Sequence, residues 1–382
     1  MMITGEVLLD AFVIANILFC VAFAFWLVVR GVMGRIGFNY DHGTQLRLLN
    51  AFFLAILFAP LISMIFRALQ GSGLAAGVNI NLSDMAVSYY LNGGLEMKAS
   101  DFEGLILLRD SLMLDLLNGA GVLAQSVIAA FLVGLALGLI RLVYSTFCLW
   151  RIVAGSFSWR SVGRVRIRIS ERTLVPFSTR GLRNYYVVIP SHMLEKPHEL
   201  KVTFAHEFQH IRQGDLEWEI LLEALKPFFF LNPAYHAWKR RVEELREFNC
   251  DTEVLSYGRI DARAYCDTLL SVSQESLRRD RGFVIAVPKV TLVTADRSSS
   301  GDGGPTFLEH RIRSVLDARK LRHRKLLFLA VALPLVSALV FTSLAIQRPG
   351  DWSQDRLMLS TVVNLERLDE INRRSTFGVV AN

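Results

Sequence analysis

The chain has 382 residues, of which 52% are hydrophobic and only 20% charged, with a mean hydropathy of +0.36. So apolar a composition excludes an ordinary soluble globular protein and points to a membrane protein with a soluble portion. The net charge of +7 does not imply nucleic acid, because Lys and Arg crowd beside the apolar stretches and no basic recognition motif accompanies them.

In chain order, four stretches are long and apolar enough to cross a bilayer: about 7–29, 48–66, 120–140 and 326–347. The first is not a cleaved signal, since no Lys or Arg precedes it and its apolar run is too long for a signal core. Asp10 and Asn16 within it carry no assigned role. The loop after this span holds Arg30, Arg35 and Arg47, whereas the loop 67–119 is acidic, with Asp84, Glu96, Asp101, Glu103, Asp110 and Asp115. Arginine returns in force between Arg141 and Lys325. The positive-inside rule then predicts a multi-pass protein of the inner (plasma) membrane, with both termini outside and 151–325 in the cytosol. This divides the chain into a membrane region 1–150 with an external loop 67–119, a cytosolic domain 151–325, a fourth span, and a short external tail 348–382. Cys20, Cys148, Cys250 and Cys266 form no Cys-x-x-Cys pair and are expected as buried free thiols.

Within the cytosolic segment, alternation at Val165, Ile167 and Ile169 predicts a strand, and TLVPFSTRGLRNYYVVIP predicts two more around Arg180-Gly181. A helix from Lys196–Glu199 onward should stop at Gly214. Residues 216–231 are too acidic for a span and suit a helix lying against the membrane or the core. Charged helices follow over about 235–257 and 261–278, and 296–305 (DRSSSGDGGP) is a flexible linker and a candidate self-cleavage site. A basic helix then leads into the fourth span. The strand around 183–189 is a candidate edge for an extended peptide substrate.

His206-Glu207-Phe208-Gln209-His210 reads His-Glu-x-x-His, and on a helix residues four apart share a face, so both imidazoles can reach one ion. Glu207, one step round, can act on a water as general base. A catalytic zinc takes three protein ligands and keeps one open position. Glu247 and Asp251, four apart on the next long helix, are candidates for the third ligand and for a carboxylate that accepts a histidine ring N–H. Spacing alone leaves open whether they are instead a solvated acidic face, such as Glu243 and Glu244 form. Tyr235 and His236, together with Arg183, Tyr185 and Tyr186, are candidate oxyanion donors. His192, His198, His310 and His323 lack ligand spacing and are expected at the surface. Phe228, Phe229 and Phe230 are expected in core or membrane contact.

HEFQHIRQGD, FFFLNPAYHAW and REFNCDTEVL together resemble the BlaR/MecR family of membrane antirepressor metallopeptidases, as does PFSTRGLRNYYVVIP. The resemblance covers about 150–325 and implies an α-helical membrane protein with four transmembrane helices and an inserted α+β zincin-like (gluzincin) domain. It implies Zn2+ held by His206, His210 and Glu247, with Glu207 as general base and Asp215 and Asp251 in support. It further implies a membrane-bound endopeptidase in signal-dependent regulation, with a cytosolic transcriptional repressor or the chain itself as substrate. The partners are then that protein substrate and the bilayer, with no direct nucleic acid and room for a homodimer. No penicillin-binding sensor is expected, since only 348–382 follow the fourth span and no Ser-x-x-Lys motif occurs. Two rival readings are an HtpX/CAAX-like processing peptidase, whose motifs would be separated by apolar spans, and a non-catalytic receptor or scaffold, which has no need of Glu207.

Overall fold

A computed structural model of the chain describes residues 5–36, 41–72, 82–279, 290–291, 307–316, 324–346 and 354–379. In chain order these form α1 (Gly5–Ile36), α2 (His42–Gly71), α3 (Leu82–Leu91), α4 (Ala99–Asn118) and α5 (Gly121–Ala154). Next come β1 (Phe157–Val162), β2 (Val165–Ser170), β3 (Phe177–Arg180), β4 (Tyr185–Pro190) and a 3-10 turn (Ser191–Glu195). Then follow α6 (Pro197–Gln213), α7 (Asp215–Leu225), α8 (Pro233–Ser256), α9 (Ala262–Arg279), β5 (Val290–Thr291), α10 (Phe307–Leu316), α11 (Arg324–Ala345) and α12 (Gln354–Val379).

Four helices are long and apolar enough to cross a membrane: Leu8–Arg35, His42–Gly71, Gly121–Ala154 and Phe328–Ala345. They match the four stretches expected from sequence. At about 1.5 Å per residue the 34-residue α5 spans about 50 Å, so it outruns a hydrocarbon core of about 30 Å. Its apolar side chains, Val122, Leu132 and Leu137 among them, face outward, as lipid-contacting residues do. Asn16 satisfies its amide within α1, its Nδ2 donating to the Phe12 carbonyl at 2.9 Å. Cys20 is exposed and Cys148 half-buried, while Cys250 and Cys266 are buried. The expectation of four buried thiols therefore fails for the two in the spans, because apolar sequence there is turned toward lipid rather than toward a core.

The chain divides into two units, one of Met1–Phe25, Ala51–Leu132 and Ala330–Asn382, the other of Trp26–Asn50 and Val133–Leu329. In the first, α12 packs on α3 and α4. Val87, Ala99, Phe102, Leu359 and Val363 form the buried centre of that bundle. The backbone N–H of Ser100 donates to Glu366 at 3.1 Å, and Tyr90 stacks on Phe102 with ring centroids 4.3 Å apart. The loop 67–119 and the tail 348–382, read from sequence only as external surface, thus contribute helices to one another's core.

In the second unit the sheet runs β1-β2-β4-β3-β5, antiparallel except for the β2–β4 pair. Ile167, Val187 and Ile189 of its inner face pack with Val202 of α6, Cys250 and Val254 of α8, Tyr265 and Leu269 of α9 and Val315 of α10. Four helices therefore share one core with the sheet. β4 lies inside the sheet, so the expected substrate edge at 183–189 is not an edge. The outermost strands are β1 and the two-residue β5, which pairs with β3 so that Phe177 faces Thr291 and Ser178 faces Val290. The linker 296–305 lies outside the described residues.

Local chemistry explains the helix ends that position the site. Pro197 opens α6, where its missing N–H costs nothing. Gly214 closes it with φ +74, a left-handed cap that a side chain would strain. The Asn232 side chain accepts from the backbone N–H of Tyr235 at 3.2 Å, capping α8 ahead of Pro233. Between α7 and α8 the chain passes close to α5. A Cβ on Gly138 would meet Pro227 at 3.0 Å, and one on Gly134 would overlap the Phe230 ring. Small residues on a spanning helix permit such close approach.

Candidate metal centre

His206 and His210 project from the buried face of α6, and both are fully inaccessible. Their outer ring nitrogens are engaged. His210 Nδ1 lies 2.8 Å from Asp215, which the Gly214 cap turns back toward the helix it has just left. His206 Nδ1 lies 2.8 Å from the Tyr265 hydroxyl, which in turn donates to Asp251 at 2.5 Å. With the Tyr265 proton committed to Asp251, its oxygen accepts from His206 Nδ1–H, and Asp215 accepts from His210 Nδ1–H. Both Nε2 atoms are then bare acceptors, and they face each other at 3.0 Å. Two lone pairs held that close repel unless a cation lies between them.

Glu247 of α8 completes the set. Its two oxygens lie 3.4 Å from His206 Nε2 and 3.5 Å from His210 Nε2. A tetrahedral zinc with bonds of about 2.0–2.1 Å to nitrogen and oxygen holds neighbouring donors about 3.3 Å apart, so these three fit. Burial alone would push the Glu247 carboxyl up. Arg311 foremost, then the histidines, outweigh burial and pull it down to about 2, keeping it ionised. His206, His210 and Cys250 also cluster closely enough to share a metal. The Cys250 sulfur, however, approaches His206 at Nδ1, 3.5 Å away, on the ring edge opposite Nε2. Burial also raises its thiol well above the usual range, so it stays protonated. Glu247 is the better third donor.

Glu207 points from the same helix into the protein, fully buried; among the described residues neither oxygen has a hydrogen bond of good geometry, and the Ser178 hydroxyl of β3 is the donor close enough to favour its ionised form. Burial drives its carboxyl up to about 7, against the pull of His210. A buried carboxylate so weakly partnered is costly for folding and suits a group that exchanges protons near neutral pH.

Residues 119–290 match the family model described as BlaR1 peptidase M56. That stretch runs from the start of α5 through the sheet and the helices bearing His206, Glu207, His210 and Glu247, and the match supports a metallopeptidase of the BlaR/MecR type with membrane helices. No curated protein matches the chain.

The geometry brings His206, Glu207, His210, Asp215, Glu247 and Asp251 together and places the other candidates elsewhere. Tyr235 is fully buried and donates its only hydroxyl proton to the Leu222 carbonyl, leaving none for an oxyanion. His236 is exposed, with Nε2 3.0 Å from the Phe230 carbonyl oxygen, a contact that ties down the α7–α8 connection. Tyr185 donates to Glu217 at 2.6 Å. His192 is half-buried, His198 and His310 are exposed, and His323 lies outside the described residues. Asp251 takes a different part from the one spacing suggested. At 3.4 Å it is too far for a good hydrogen bond to His206, and Tyr265 bridges the gap.

Two residues of the site escaped sequence reasoning. Tyr265 sits with Leu269 and Val272 on one apolar face of α9 and looks like a core aromatic. Arg311 is one arginine in a basic stretch, yet Leu308 and Val315, three before and four after it, put it on an apolar stripe of α10. An arginine on such a stripe is the one available signal of a buried ion pair.

Proposed function

We propose that this chain is a zinc endopeptidase of the membrane, holding its metal with His206, His210 and Glu247 and cutting protein substrate at the cytosolic face. The observation that carries the reading is the pair of Nε2 atoms 3.0 Å apart, faced by the Glu247 carboxylate and accompanied by the fully buried Glu207. A zinc ion held there supplies Lewis acidity, polarising a carbonyl and bringing the pKa of water toward about 7. Glu207 removes the proton from the attacking water and returns it to the leaving amine. Asp215 and Tyr265 keep both histidines in the Nδ1–H tautomer that leaves Nε2 free. The outer side of β3, which packs against α6, is paired at Phe177 and Ser178 by the chain's own Val290–Thr291, and an extended peptide substrate would take that place by displacing β5.

That pairing by the chain's own β5 favours self-cleavage as one activity, alongside cleavage of a cytosolic repressor in response to a signal. Basic loops on one side of the four spans support an inner-membrane topology with both termini outside. The packing of α12 on α3 and α4 agrees with it, since in that topology the loop after the second span and the tail after the fourth lie on one side. A homodimer is compatible with this arrangement.

The test is purified full-length chain in lipid nanodiscs, compared with Glu207→Gln. Both should carry stoichiometric zinc by elemental analysis, while the variant loses cleavage of casein and of itself by about 10²–10⁴-fold. Comparing proteomes of cells carrying either form then names the substrate as the protein no longer cut. Equal cleavage by the variant would remove Glu207 from the mechanism.

A further inference from the structure

Arg311 is buried to 1% exposure and arrives from α10, the helix that precedes the fourth span. Its Nε and Nη2 grip Asp251 in a two-pronged pair at 2.8 and 2.6 Å, and its Nη1 lies 3.1 Å from the Glu247 carboxylate. Asp251 holds Tyr265, and Tyr265 holds His206. One guanidinium therefore reaches two of the three metal donors, Glu247 directly and His206 through two intervening groups. A planar fork fixes a carboxylate in direction as well as in distance, which a point charge cannot do. One turn further along the same buried face of α10, Ser314 contacts His42 of α2 at 2.8 Å, and the His42 ring lies 4.9 Å from Phe248, the neighbour of Glu247. That face of α10 thus packs against both the start of α2 and α8, which carries Glu247.

We infer that Arg311 is a positioning residue for the metal site, making metal retention depend on α10 staying docked. This rests on the peptidase reading for the identity of the metal, but its test does not need catalysis. The full-length protein in nanodiscs would be titrated with zinc against a chelating dye, and its Co2+ form examined by visible absorption. Arg311→Met should weaken zinc binding about 10–100-fold, the usual effect of losing a group that orients a ligand. Arg311→Lys, which keeps the charge but not the fork, and Tyr265→Phe, which breaks the relay to His206, should each weaken it several-fold and change the Co2+ bands. A role confined to stability would lower the melting temperature of the variants and leave the Co2+ spectrum and zinc Kd alone. If Arg311→Met does not fold, the Lys and Phe variants decide. Wild-type zinc affinity and Co2+ spectra in both overturn the inference. A wild-type chain that binds zinc but cleaves nothing overturns the peptidase reading and leaves the affinity comparison standing.

Discussion

At the scale of single residues, the site depends on which ring nitrogen of each histidine carries a proton. Asp215 and the Tyr265–Asp251 pair settle this from outside the ligand set. Asp215→Asn should therefore weaken zinc about 10–100-fold by the same chelator titration, because an amide can present its NH2 to His210 and favour the wrong tautomer. Tyr235→Phe should behave oppositely. Its hydroxyl serves the Leu222 carbonyl, so the variant should lose about 1 kcal/mol of stability with cleavage intact. A large fall in kcat for Tyr235→Phe would restore it as an oxyanion donor. His206 and His210 were legible in the sequence because a four-residue spacing on a helix is a local property. Tyr265 was not, because an aromatic on an apolar face looks the same whether its hydroxyl is idle or bridges two residues of a metal site.

At the scale of elements, α6 and α7 are separated by a single left-handed residue, and that break turns Asp215 onto His210. Gly214 was readable as a stop because glycine alone takes this conformation without strain. Gly214→Ala should cost about 1 kcal/mol or somewhat more in chemical unfolding, while Gly214→Asn, which tolerates left-handed φ, should cost less. Equal effects of the two would show that the conformation is not what matters there. The edge of the sheet was misread for a different reason. Strand pattern in 183–189 marks burial on both faces, but which strand ends up outermost depends on pairing order, and β4 is flanked by β2 and β3.

At the scale of the whole molecule, α7 and α8 are bound by a buried charge network. Lys239 reaches Glu219 and Glu223, both at 2.9 Å, and Arg246 reaches Glu219 at 2.6 Å. Burial pushes the Glu219 carboxyl up, but Arg246 and Lys239 more than offset this and hold it below its ordinary 4.5. A group depressed on folding stabilises above its unfolded value and loses that contribution as pH falls through the folded one. The melting temperature should accordingly drop as pH is lowered below about 4.5. Glu219→Gln should flatten this dependence and destabilise by up to about 3–5 kcal/mol at neutral pH, since it takes the nearest carboxylate from buried Arg246 and leaves Lys239 only Glu223 and Glu243. An unchanged acid profile in that variant would place the acid-sensitive group elsewhere.

Apolarity, basic asymmetry and the spacing of His206 and His210 are each written within a few turns of chain, and they suffice to announce candidate spans and a helix with two histidines on one face. Glu247 was left undecided between ligand and solvated face, because a carboxylate pair on a helix reads alike in either setting. What buries Glu247 facing the two histidines, rather than in solvent, is a convergence of α8, α9 and α10 that brings Arg311 to Asp251 across 60 residues of chain. Contacts of that reach are set by how helices pack on a shared core, and no local periodicity encodes them.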